Sequence, residues 1–214
     1  MKAYLFDMDG TLVNSIDSIS YFANNALKKF GLGEIPTERY KMLVGNGAAT
    51  LVERMLKEVG GDSSVFEPLL EEYNSTYDNN FMYLTRPYNG ITGMLGQLKK
   101  RGCRTAVVSN KPHSTAQKIS DELFGDLIDV CIGQKDGIPV KPDPAMPNEA
   151  VRLLGADKKD CIYAGDTLTD MMTGKNAGLF TVGVLWGFRD IEEIKKGNPA
   201  AIISSPEEIL SITK

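Results

Sequence analysis

Histidine occurs once in this chain, tryptophan once and cysteine three times. A single histidine, His113, all but excludes His-dependent triads and multi-His metal centres. It follows Pro112 after an apolar run and reads as a helix-start or surface residue. Cys103, Cys131 and Cys161 are odd in number, contain no Cys-x-x-Cys pair and have no neighbouring histidine, which argues against zinc. They read as reduced, buried packing residues. No apolar run approaches the roughly 20 residues that a membrane span needs. The first one is interrupted by Asp7 and Asp9 before it can act as a signal peptide, so a cytoplasmic protein with no membrane partner is expected. A formal net charge of −4 lacks the basic excess that a nucleic-acid substrate would demand. Internal repeats and low-complexity tracts are absent too.

What is present is a chain of 214 residues, long enough for one good core and a smaller second module. Its most informative stretch is Tyr4-Leu5-Phe6-Asp7-Met8-Asp9-Gly10-Thr11-Leu12. An uncharged apolar run of this kind predicts a buried parallel strand. Carboxylates at its carboxyl end sit where open α/β sheets bind ligands. Two like charges about 4 Å apart repel by about 4 kcal/mol at an effective dielectric near 20. The pair Asp7 and Asp9 therefore implies a cation. Mg²⁺ suits hard oxygen ligands and bridges to substrate phosphates. A calcium loop fails, because Thr11 and Ser18 stand where further acids are needed.

Three later segments carry related chemistry. Ser109-Asn110 ends the run Thr105-Ala106-Val107-Val108; a hydroxyl there can donate to a phosphate oxygen, and the Asn110 amide can add a second bond. Lys141 is followed by Pro142-Asp143-Pro144, which reads as a helix start with Asp143 as cap. Asp166 ends the apolar run Cys161-Ile162-Tyr163-Ala164-Gly165. Asp170 returns to the same side if a helical turn has begun.

Asp-Met-Asp-Gly-Thr resembles the nucleophile motif of the haloacid dehalogenase-like phosphohydrolases. Ser109-Asn110, Lys141-Pro142 and Gly165-Asp166-Thr167-Leu168-Thr169-Asp170 resemble that family's second, third and fourth motifs, in order and over nearly the whole chain. The resemblance implies an α/β, doubly wound parallel-sheet (Rossmann-like) core with an inserted α-helical cap. Strand-like runs at 3–7, 104–109, 129–132, 161–165, 180–185 and 200–203, separated by helical segments, agree with such a core. Residues 15–84 instead read as four amphipathic helices, so the core is assigned to 1–14 and 86–214 and the cap to 15–85. Gly31 is placed to end the first of these helices and Thr37 to cap the second. Gly45-Asn46-Gly47 fails as a dinucleotide fingerprint and reads as a helix-start turn or a cap loop facing substrate.

A carboxylate can accept a phosphoryl group, which makes Asp7 the expected nucleophile. Asp9, two residues on, falls on the same side of an extended segment and can act as general acid and then base. Lys141 can neutralise both the phosphate and Asp7. The resemblance supports these catalytic roles. It implies a metal held by Asp7, Asp166 and the main-chain carbonyl of Asp9. Asp170 is either a ligand or a group orienting metal-bound water or Lys141. Ser109, Asn110, Thr11 and Gly10 form the expected phosphate-binding set.

Val44-Gly45-Asn46-Gly47-Ala48, with Leu51 and Arg54, resembles the cap of phosphoglycolate phosphatase-like members, as does Val108-Ser109-Asn110-Lys111-Pro112. Arg54 could pair with a substrate carboxylate or be an exposed helix charge. The expected activity is Mg²⁺-dependent hydrolysis of a small phosphorylated metabolite through an aspartyl-phosphate, by a monomer or homodimer. A β-phosphoglucomutase-like mutase and a non-catalytic phosphometabolite-binding protein are the alternatives. A dehalogenase would lack the second acid, Asp9.

Overall fold

Ala3–Phe6 forms strand β1, four residues buried on both faces, as a central parallel strand requires. The computed structural model describes residues 2–212. After β1 the chain makes a tight turn in which the Met8 carbonyl accepts from the N–H groups of Thr11, Leu12 and Val13. It then enters β2 (Val13–Asn14), which pairs in a two-stranded ribbon with β3 (Arg86–Pro87). Between them run α1 (Ile16–Lys29), α2 (Thr37–Leu43), α3 (Ala48–Val59) and α4 (Phe66–Asn79). Beyond β3 come α5 (Ile91–Lys100), β4 (Arg104–Pro112), α6 (His113–Phe124), β5 (Val130–Gln134), α7 (Ala145–Leu154), β6 (Cys161–Gly165), α8 (Leu168–Asn176), β7 (Phe180–Val184), α9 (Ile191–Lys196) and β8 (Ala201–Ile203).

The large sheet has the order β5-β4-β1-β6-β7-β8, with every pairing parallel. This is the doubly wound α/β architecture expected from the alternation of elements. The chain steps from β1 out through β4 to β5, then returns to β6 on the other side of β1. Strand order reverses there, and ligands of open α/β sheets bind at the carboxyl ends of strands beside such a switch. Phe6 lies level with Val107 on one side and Ala164 on the other, so the residues just beyond are Asp7, the Ser109 segment and Asp166.

One side of the sheet is closed by α7. Alternate residues of three adjacent strands (Ala3 and Leu5, Ala106 and Val108, Cys161 and Tyr163) cluster with Met146, Ala150, Val151 and Leu154. Each large apolar side chain buried in this way contributes roughly 1.5–3 kcal/mol. The layer that positions the strand ends is therefore rigid.

Contacts divide the chain into two units, one holding the residues up to Asn14 and those from Pro87 onward, the other Ser15–Arg86. In the second unit α1 buries Ile16, Ile19, Phe22, Ala23, Ala26 and Leu27, a 3–4 spacing that gives one apolar face. Gly31, at φ 70°, reverses the chain after α1, with its N–H on Lys28 O and that of Leu32 on Leu27 O. Asn24 of α1 exchanges two hydrogen bonds with Ile35 and accepts one from the buried Tyr40 hydroxyl, tying α2 to α1.

Several local expectations need correction. Thr37 does not cap α2; it is the helix's first residue, after Pro36, and its hydroxyl shares a 3.1 Å hydrogen bond with Ser20. Asp143 bonds the Ala145 N–H at 2.8 Å, but Pro144 occupies the residue before α7. Of the cysteines only Cys161 is buried; Cys103 precedes the interior strand β4 and Cys131 lies on the edge strand β5. Among the described residues no helix is long and apolar enough to cross a membrane.

Candidate active site

Three carboxylates converge at the switch point. Asp7, Asp166 and Asp170 are buried and offer oxygens that all lie within 4.8 Å of one another. Asp7 extends β1, with its N–H on the Ala164 carbonyl at 3.0 Å. Asp166 directly follows β6. Asp170 stands in the first turn of α8, where it forms a reciprocal cap with Thr167. Crowding of carboxylates is observed among Asp7, Asp166 and Asp170.

Lys141 reaches the cluster from the segment before α7. Its ammonium lies 2.7 Å from Asp7 Oδ1 and 2.8 Å from Asp170 Oδ1, with a side chain only 3% exposed. Burial alone would lower its pKa, but Asp170 and Asp7 outweigh burial and hold it well above the usual lysine range. Burial pushes Asp7 well above the ordinary carboxylate range, reinforced by Asp170 and opposed by Lys141. Burial, together with Asp170, carries Asp166 up to about 7, against the pull of its hydrogen bonds from Phe188 and Thr11.

The hydrogen bonds distinguish the three acids. Asp170 uses all its acceptor capacity: Oδ1 takes Lys141 and the Tyr163 hydroxyl, and Oδ2 takes the N–H and hydroxyl of Thr167. Asp166 accepts one neutral bond on each oxygen, from Thr11 at 3.1 Å and from the Phe188 N–H at 2.7 Å. Each of its oxygens keeps a lone pair. Asp9 is paired separately, with the Lys111 ammonium at 3.0 and 3.2 Å from its two oxygens.

With all four carboxylates ionised, the two ammonium groups would leave two negative charges uncompensated. Arg189 also faces Asp166, but it is paired with Glu193 at 3.2 Å. Buried like charges are costly unless a counter-ion is supplied. The donor set (hard oxygens, a charge deficit of two, spare lone pairs on Asp166) fits a divalent cation of the Mg²⁺ type.

Two members of the expected phosphate set have other tasks. Thr11 turns its hydroxyl to Asp166, and its carbonyl accepts the Trp186 indole N–H at 2.9 Å. The Gly10 amide is used by Val13 O, and at φ 92° a side chain there would meet Asp166 Oδ2 at 2.3 Å. Both residues shape the Asp166 environment and do not offer donors to a phosphate. Ser109 is buried at the end of the regular part of β4, and its Oγ accepts the Lys111 N–H at 3.2 Å. Asn110 uses its side chain on the Lys141 backbone, accepting from Lys141 N at 2.8 Å. Arg54 belongs to the helical unit, where its guanidinium donates to Leu43 O at 2.7 Å and Asn46 Oδ1 at 2.8 Å, fastening the turn between α2 and α3.

Sequence reasoning gives no separate role to Lys111, Tyr163 or Thr167, and it reads Trp186-Gly187-Phe188 as a rim contact or, more readily, local packing. Only Lys111 left a signal, as a lysine immediately after Ser109-Asn110. Gly187 is required by packing: a Cβ there would lie 2.3 Å from both Asp166 Cβ and the Gly10 carbonyl. Gly187→Ala is expected to lower stability by roughly 1–3 kcal/mol, the usual cost of overpacking, and to weaken Asp166-dependent activity. Urea unfolding measures the first effect; an unchanged midpoint would show that the 186–188 segment yields freely.

A parallel α/β sheet with acids at its switch point and a lysine held between two of them gives a carboxylate-centred site. The chain belongs to the haloacid dehalogenase-like hydrolase family, which matches residues 4–184. It is 30% identical over 213 residues to a phosphoglycolate phosphatase of Aquifex aeolicus, covering 99% of this chain and 96% of that protein. It is 31% identical to an N-acetylmuramic acid 6-phosphate phosphatase of Pseudomonas aeruginosa, covering 99% and 94%. A crystal structure from Haemophilus somnus, named a predicted phosphoglycolate phosphatase, superposes with a TM-score of 0.91 at 28% identity, covering 100% of this chain and 98% of that one.

Proposed function

We propose that this hydrolase cleaves a small phosphate monoester of the phosphoglycolate kind, with Mg²⁺ as cofactor and an aspartyl-phosphate on Asp7 as intermediate. The chain is a phosphoric monoester hydrolase. The observation that carries this reading is the buried triad of Asp7, Asp166 and Asp170 organised around Lys141. The phosphatase names of the relatives point the same way.

Asp7 attacks phosphorus and takes up the phosphoryl group. Lys141 holds Asp7 in place and balances charge arriving with the phosphate. Ser109 supplies a hydroxyl to a phosphate oxygen. Asp9 gives a proton to the leaving oxygen and later takes one from the water that releases phosphate. Asp7, Asp166 and the Asp9 main-chain carbonyl would hold Mg²⁺, which when bound screens the phosphate and the carboxylates from one another. Asp170, with every lone pair committed, anchors Lys141 and the start of α8 and is assigned no metal. The helical unit, Ser15–Arg86, is assigned as the inserted α-helical cap that selects substrate.

Both relatives named above are named for phosphate esters that also bear a carboxyl group. A panel of phosphoglycolate, N-acetylmuramic acid 6-phosphate, glucose 6-phosphate and glucose 1-phosphate tests the reading. The expected result is phosphate release with kcat/KM for the best carboxylated ester at least about tenfold above that for glucose 6-phosphate, the scale of one charged contact. Isomerisation of glucose 1-phosphate without phosphate release would make the enzyme a mutase. Tight binding with no turnover of any ester would make it a binding protein.

A further inference from the structure

Each acid of the Asp7-x-Asp9 motif has its own lysine. Lys141 serves Asp7 and is shared with Asp170, whereas Lys111 Nζ lies 3.0 Å from Asp9 Oδ2 and 3.2 Å from Oδ1. The Lys111 side chain is 7% exposed and that of Asp9 19%, so the pair is drawn out of bulk water. Its placement is specific to the path of β4. Val108 pairs with Ile132, but pairing resumes only at Pro112 with Gln134, so Ser109, Asn110 and Lys111 bulge from the ladder. Bulges of this sort re-aim side chains near active sites. All three residues are used: Ser109 Oγ accepts the Lys111 N–H, Asn110 holds the Lys141 backbone and Lys111 holds Asp9. Gly133 on β5 makes room for the bulge, since a Cβ there would meet the Lys111 carbonyl at 2.7 Å and His113 Cα at 2.6 Å.

We propose that Lys111 is a positioning residue that fixes the Asp9 carboxylate for proton transfer to the leaving oxygen. This rests on the phosphoester reading of the site. As the Asp7 oxygen–phosphorus bond forms and the bond from phosphorus to the leaving oxygen breaks, the proton passes from the Asp9 carboxyl to that oxygen. The electron pair left on Asp9 then lies against the Lys111 ammonium. Buried ion pairs add little net stability on average, so a role in orientation accounts for the pair better than one in folding.

Phenyl phosphate and p-nitrophenyl phosphate test this, because they share a shape and carry no charge beyond the phosphate. Phenol is the poorer leaving group and needs the proton more. With Mg²⁺ present, Lys111→Met is expected to lose about 100-fold in kcat/KM on phenyl phosphate and about tenfold less than that on p-nitrophenyl phosphate. Lys111→Arg should recover most of the loss. Adding Lys111→Met to Asp9→Asn should cost nothing further, since two residues acting as one unit are not additive. Thermal unfolding monitors whether each variant folds, and the Arg variant keeps the test open if the Met variant does not. Equal losses on both esters, or additive losses in the double variant, overturn the proposal while leaving the phosphatase reading standing. A wild-type enzyme that hydrolyses neither ester overturns that reading and this proposal with it.

Discussion

Asp7→Asn is expected to abolish turnover, with kcat falling on the order of 10⁴-fold or more, while the protein stays folded and unfolds no earlier than the wild type. The asymmetry follows from where Asp7 sits. Its backbone N–H continues the β1–β6 ladder and does not depend on the side chain. An asparagine retains an oxygen for the Lys141 ammonium, now 2.7 Å from Asp7 Oδ1, and Lys141 keeps Asp170 as its anionic partner. The carboxylate that is lost is buried beside two others, a position that raises its pKa well above the usual range and costs the metal-free fold stability at neutral pH. An amide, by contrast, is too poor a nucleophile to accept a phosphoryl group. Steady-state kinetics on the best ester, with deamidation excluded by mass spectrometry, tests the first half, and a melting curve tests the second. Substantial phosphatase activity in the intact amide variant would remove Asp7 as nucleophile.

How much of this was readable in the residues depended on range. Acids ending apolar runs are a local signal, and Asp7 and Asp166 indeed stand at the ends of β1 and β6. The alternation of strands and helices was equally local and led directly to the parallel sheet. What failed were statements about where a side chain turns after its strand ends. Thr11 and Gly10 were given to the phosphate, whereas contact with Asp166, 155 residues away from Thr11, decides their role. The Lys111–Asp9 pair spans 102 residues and depends on a bulge that no composition pattern announces. Phe188 N–H and Gly187 reach Asp166 only because the segment after β7 folds back over the strand end. Cysteine burial is likewise decided by position: Cys131 lies on the edge strand β5, and Cys103 directly precedes β4.

Removal of divalent metal is expected to reduce turnover to below about one-hundredth, with recovery on adding Mg²⁺, since the carboxylate cluster would otherwise repel an arriving phosphate. The same cluster predicts a linked effect on stability, whose sign can be worked out. The Asp166 carboxyl is raised to about 7 in the folded chain, against roughly 3.9 for an unfolded aspartate, and Asp7 is shifted in the same direction. Between those values the folded metal-free protein binds more protons than the unfolded chain, so its stability falls as pH rises through the window. A cation held by the ionised carboxylates replaces the bound protons and removes that loss. Excess Mg²⁺ should therefore raise the melting temperature more near pH 7.5 than near pH 4.5. At about 100 times its dissociation constant the gain at the higher pH is about 2.7 kcal/mol, or roughly 5–10 °C for a domain of this size. Asp166→Asn should shrink the Mg²⁺ shift and lessen its pH dependence, because the variant lacks a carboxyl that titrates near neutral pH. Equal Mg²⁺ shifts at both pH values, or full activity after exhaustive chelation, would mean that the three buried carboxylates are balanced by protons and Lys141 alone.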